Sequence, residues 1–175
     1  MTFTHRSKAA ALCAMVLWLG ACGSDGGSDS EFGFATGPLM KPGQACSQCH
    51  GKQSQYETAP RFSLGGTVYA SADAAADGGV PGVSVIISDA AGSELQTLTT
   101  NEVGNFYTVA TLPDGYRVAL EYEGERIEMP CSPPSGGCAN CHSAQPAGHA
   151  TGRLYIPQGQ TGELKAFDCG AWQPL

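Results

Sequence analysis

The chain has 175 residues, of which 24 are glycine, 11 proline and 42% hydrophobic, enough for one small domain with appendages and too turn-rich for long helices. Its formal charge is −7. No basic face is available to grip phosphates, which argues against nucleic acid as a partner; an acidic surface instead favours solubility and the steering of cationic partners.

The chain opens with a short basic stretch, Met1 to Lys8, followed by an apolar run from Ala9 to Gly20. That pattern predicts a secretory signal over residues 1–21, too short to span a bilayer as a helix. The four residues Leu19-Gly20-Ala21-Cys22 resemble the lipobox of bacterial lipoproteins. The resemblance implies cleavage before Cys22 and a diacylglycerol on its sulfur, hence a membrane partner through a lipid anchor. Residues 22–35, rich in Gly, Ser and Asp, read as a flexible tether. Gly23 after the lipidated position resembles lipoproteins sorted to the outer membrane, so the expected location is the periplasm or the cell surface. Removing residues 1–21 takes away Arg6 and Lys8 and no acid, so the charge moves from −7 to −9.

Residues 36–61 form the next segment, punctuated by Gly37, Pro38, Pro42, Gly43 and Gly51 and read as irregular. Within it stands Cys46-Ser47-Gln48-Cys49-His50, and a second copy, Cys138-Ala139-Asn140-Cys141-His142, lies further on. Both are C-x-x-C-H, the pattern of c-type haem attachment. Two thiols at this spacing each add to one vinyl group of the same macrocycle, and the following His is held where its imidazole reaches the iron. The expectation is two covalently attached haem c groups, with Cys46, Cys49, Cys138 and Cys141 as thioether residues and His50 and His142 as proximal ligands. One structural zinc held by two C-x-x-C pairs is the competing reading, as are redox dithiols or plain disulfides; neither accounts for the His that follows both pairs.

From residue 62 to 129 the pattern changes to short alternating runs separated by turn residues, the sign of an antiparallel β-sandwich. Strands are expected over 66–70, 83–88, 94–100, 105–110, 116–122 and 126–129. Val83, Val85 and Ile87 share one face, with Ser84 and Ser88 on the other; Tyr116, Val118, Leu120 and Tyr122 face the core. Gly66-Thr-Val-Tyr69, Gly79 to Gly92, Thr100 to Phe106 and Leu112 to Tyr116 resemble the carboxypeptidase regulatory-like (transthyretin-like) sandwich. The resemblance implies an Ig/transthyretin-like accessory module with no catalytic residues to carry over. The fold class expected is thus mainly β, a small antiparallel sandwich flanked by irregular haem-binding segments. Six alternating strands end where the first begins, so both haems should sit at one end of the sandwich, near each other.

Residues 130–175 hold the second motif and a C-terminal cover, with a seventh strand expected over Gly152 to Ile156. Once Cys22 and the four motif cysteines are assigned, Cys131 and Cys169 remain in the mature chain, and an oxidising compartment predicts their disulfide. Beyond the two proximal residues the mature chain offers one histidine, His149, so two bis-His haems are impossible within it. His149, Met129 and Met40 are the candidate distal ligands.

The chain as a whole resembles a dihaem c-type cytochrome lipoprotein. That resemblance implies an electron-transfer protein, not an enzyme, working with redox partner proteins, other cytochromes among them. A haem enzyme with an open axial site, peroxidase-like or a small-molecule reductase, is the alternative in a different class, and a surface binding module built on the sandwich is a third.

Overall fold

The computed structural model describes residues 36–147 and 150–158, and all of them fall in one compact unit that begins at Thr36. The architecture is mainly β, with six strands in two antiparallel sheets among the described residues. They are β1 (Leu64–Thr67), β2 (Ser84–Ser88), β3 (Glu94–Thr99), β4 (Asn105–Thr108), β5 (Arg117–Tyr122) and β6 (Glu125–Glu128). One sheet is the pair β1–β4; the other has the order β3–β2–β5–β6. Every pairing is antiparallel.

The expected alternation holds where it matters. Val83, Val85 and Ile87 are fully buried and meet Leu64, Val68, Phe106, Val118, Leu120 and Ile156 in the core, with Tyr116 and Tyr122 packed against it. β-branched residues suit such a strand, because their stiff side chains fill a pleated, half-covered surface without losing further rotamer freedom. The other face of β2 differs from expectation, since Ile86 and Ser88 are buried as well. β2 lies between β3 and β5, and Ile86 sits opposite Ala119 of β5, itself buried.

Turn chemistry sets the register. Asp89 accepts hydrogen bonds from the amides of Ala91 and Ser93, both at 2.9 Å, and Gly92 takes a positive φ of 88° to close the β2–β3 turn. Asn101 accepts from Val103 and Asn105 in the same manner ahead of β4. Glu123 and Gly124, with φ of 51° and 82°, form the two-residue turn of the β5–β6 hairpin, the conformation that matches the right-handed twist of its strands.

The motif segments pack around β1. Cys46–His50 forms one α-helical turn, α1, and Cys138–Asn140 a 3₁₀ turn, η1, so the segments expected to be irregular are ordered at the motifs themselves. The seventh strand expected over 152–156 does not form. Instead Gly137 and Tyr155 make isolated parallel bridges to Gly65 and Tyr69 of the β1 edge. The Gly65 amide donates to Gly136 O (2.8 Å), the Tyr69 amide to Leu154 O (2.8 Å), and the Ile156 amide to Tyr69 O (2.9 Å). These bonds satisfy an edge that would otherwise present unpaired backbone groups. The edge partner is interrupted because the second motif loops out between residues 137 and 154.

Candidate functional site

The two C-x-x-C-H motifs flank β1, and two glycines make the approach possible. A Cβ built on Gly65 would lie 3.4 Å from Cys46 Cβ and Sγ; one on Gly66 would lie 2.9 Å from Cys138 Cβ. Successive residues of a strand point to opposite faces, so Cys46 and Cys138 come in on opposite sides of the same strand. Gly66 and Cys138 belong to the core side, where Phe106 lies against the same glycine. The motifs also touch each other directly: Ser47 Oγ donates to Asn140 Oδ1 at 3.0 Å. All four motif cysteines are free thiols.

From this junction the motifs run apart. The segment before α1 is pinned at the far end of β1, where the Gly43 amide donates to Thr67 Oγ1 (2.9 Å) and Asn105 Nδ2 donates to Met40 O (2.9 Å). The helical turn then travels back to the start of β1, where His50 O accepts from the Phe62 amide at 2.9 Å. Arg61 secures that end by donating through Nη1 to Gly51 O at 2.9 Å, and its guanidinium also reaches Cys49 O and Ser54 O. The second motif travels with β1. His142 lies against Gly152, and the neighbouring Arg153 amide donates to Ala72 O (3.0 Å), beyond the strand's end. The cysteines Cys46 and Cys138 therefore flank the middle of β1 from its two sides, and the histidines occupy its opposite ends. Strand parity accounts for the contact between the motifs but not for this divergence.

Each histidine is anchored in the same way. His50 Nδ1 is 2.8 Å from Pro60 O and His142 Nδ1 is 3.3 Å from Gly152 O, in both cases a carbonyl ten residues downstream. A carbonyl only accepts, so in each bonded ring Nδ1 carries a proton, and the neutral ring leaves the lone pair on Nε2. That is the tautomer a metal-binding imidazole requires, with its orientation fixed by the second bond. His50 is buried and stacked on Phe62, with ring centroids 3.9 Å apart and planes 6° from parallel; Phe62 in turn stacks on Tyr107 at 4.4 Å and 13°. No such stack flanks His142 among the described residues. Its removal from water holds its pKa below the ordinary value and so favours the neutral ring, against the opposing effect of the bond to Gly152.

Burial also shapes the thiols. Desolvation pushes the Cys138 thiol up to about 12, with the neighbouring sulfurs of Cys46 and Cys141 adding to the rise. Cys46 is raised by desolvation and by Cys49, and Cys141 by desolvation. Beside Cys138, the phenol of Tyr116 is raised to about 12, chiefly by desolvation and then by the Cys138 charge, and its hydroxyl is buried without a hydrogen-bond partner.

The residues fit the chemistry of two separate attachment sites: two free thiols and one tautomer-locked imidazole at each. They do not match one four-thiolate zinc cage, because among the described residues no three His, Cys, Asp or Glu side chains gather into a metal-holding group. Of the other expected site residues, Met40 lies at the Thr67–Asn105 end of β1, away from His50. Met129 follows β6, its amide donating to Val118 O at 2.9 Å. Cys131 is disulfide-bonded; Cys169, its expected partner, lies outside the described residues, as do His149 and Cys22. Sequence reasoning passed over Gly65, Gly66, Arg61, Phe62 and Tyr107. The adjacent glycines inside a strand pattern were the available signal, since glycine there marks a close backbone approach.

The fold and site together define a mainly β protein with two C-x-x-C-H motifs packed against one strand. Comparison with protein-family models, with curated proteins and with solved structures finds no match.

Proposed function

We propose that this chain is an exported, lipid-anchored c-type cytochrome that carries two haem c groups and transfers electrons between redox partner proteins. The observation that supports it best is the paired geometry of the motifs. Both bring two free thiols and a histidine to β1, and both histidines are tied through Nδ1 to a carbonyl ten residues on. A haem bound at each motif supplies reversible one-electron chemistry. The chain's own residues do the rest: Cys46, Cys49, Cys138 and Cys141 hold, His50 and His142 present Nε2, and β1 fixes the spacing between the two sites. Lipidation at Cys22 would keep the protein at the periplasmic or outer surface of a bacterial membrane, with the acidic domain facing basic partners.

The test is expression of the full-length chain in a bacterium with haem c maturation machinery, followed by a visible spectrum and intact mass of the membrane-extracted product. Two covalent haems and a lipid on Cys22 are expected, and Cys46→Ala or Cys138→Ala should each lower the haem content by about one per chain. A colourless chain, or haem content unchanged in either variant, would remove the reading. Two low-spin spectra would mark a carrier, whereas a high-spin iron that shifts with cyanide would favour the open-site enzyme.

A further inference from the structure

We propose that the two histidine sites are unequal by construction: Phe62 and the Pro60 carbonyl clamp His50 as the stronger and more rigid axial donor, which makes the haem at Cys46 and Cys49 the lower-potential member of the pair. This rests on the haem reading above and adds to it an order between the two sites.

Three differences carry the inference. The first is the Nδ1 bond, 2.8 Å at His50 and 3.3 Å at His142. A shorter bond from Nδ1–H to a carbonyl draws the proton away from the ring and makes Nε2 the more basic donor. A more basic axial donor stabilises the oxidised iron and lowers the potential. The second is orientation. The near-parallel stack His50–Phe62–Tyr107 holds the first imidazole between a backbone hydrogen bond and a ring face, so it cannot rotate about its Cβ without losing both. The third is burial, which keeps water from competing for the Nδ1 bond and so firms the clamp: His50 is 8% exposed, while His142 is only half-buried. The stack also has a structural root in the chain. The Phe62 amide donates to His50 O, and the Ser63 amide next to it donates to Thr108 O, so the clamp is built into the entry to β1. Phe62 is thus a positioning residue: it acts through His50.

The experiment uses the haem-loaded full chain, titrated optically for midpoint potentials and examined by electron paramagnetic resonance. Two separate potentials are expected, and the lower one should survive in the Cys138→Ala–Cys141→Ala variant, which keeps only the first haem. Phe62→Leu should move the lower potential upward, leave the other in place and broaden the resonance of the lower-potential iron as its imidazole gains freedom; Phe62→Tyr, which keeps the ring, should preserve both. Should Phe62→Leu fail to accumulate, Tyr107→Leu removes only the outer ring, at a position 42% exposed, and should move the same potential in the same direction by less. A single unsplit potential, or a lower potential that belongs to Cys138 and Cys141, overturns the inference. So do variants that lose thermal stability while both potentials stay put, since Phe62 would then be packing alone. A wild-type chain without haem overturns the parent reading as well, whereas two haems of equal potential overturn only the clamp.

Discussion

At the scale of the residue, one group among the described residues is out of balance. The Tyr116 hydroxyl is buried and unpartnered, although its ring packs against the core and Ser132 donates to its backbone carbonyl at 2.9 Å. A buried hydroxyl that has left water and found nothing in return is a cost, and a phenylalanine of nearly the same shape removes it. Tyr116→Phe should therefore stabilise the chain by roughly 1 kcal/mol, read as a rise in the denaturation midpoint at unchanged slope. A loss of stability would mean that the hydroxyl has a partner after all. The sequence alone places Tyr116 correctly on the inward face of β5's approach, by its period with Val118 and Leu120. It gives no hint of the missing partner, because satisfaction depends on Cys138 and the loop before it, far along the chain.

At the scale of the element, β1 is the piece that matters, and its four residues are all buried. Its two glycines are not equivalent. A Cβ on Gly66 would stand 2.9 Å from Cys138 Cβ and 3.1 Å from Phe106 Cζ, both parts of a packed core, whereas a Cβ on Gly65 would meet Cys46 and Phe62 at 3.4 Å, an ordinary contact. Neither glycine has a positive φ, so the difference is one of space alone. Gly66→Ala should cost about 1–3 kcal/mol as core atoms are forced aside, while Gly65→Ala should stay within about 1 kcal/mol of the parent, helped by a less flexible unfolded chain. Equal effects, measured by denaturant titration of both variants, would show that the second motif does not press on β1 as described. The six strands themselves were legible, because alternation and turn residues are local: Asp89 to Gly92 and Asn101 to Gly104 each set a turn within four residues. The strand expected over 152–156 was not, since its alternation is real but its partner, Tyr69, is reached through isolated bridges on either side of a looped-out motif.

At the scale of the whole molecule, the candidate site was half legible. The cysteines and histidines announce themselves by spacing, and an even count of strands foretells that the motifs meet. Their opposed directions, the Ser47–Asn140 contact and the Phe62 clamp arise from pairs of residues far apart in sequence, which no local pattern encodes. The same long-range packing bears on how such a site is loaded. Thioether formation needs access to both sulfurs of a motif. In the folded chain Cys138 is pressed against Gly66, and its thiol, pushed up to about 12 by burial, is almost wholly protonated at pH 8. On the proposed haem reading, residues 136–147 have to be off β1 for haem to reach the second motif, so attachment there should precede docking. A haem-free full chain, alkylated under reducing conditions at pH 8, should be labelled slowest at Cys138 while it is folded and without preference when it is unfolded in denaturant, as site-resolved mass spectrometry reads directly. The maturation machinery should correspondingly load the second motif of an unfolded chain and fail on one that has already folded. Equal labelling of Cys138 in both states would mean that the segment leaves β1 readily, and loading would then need no order.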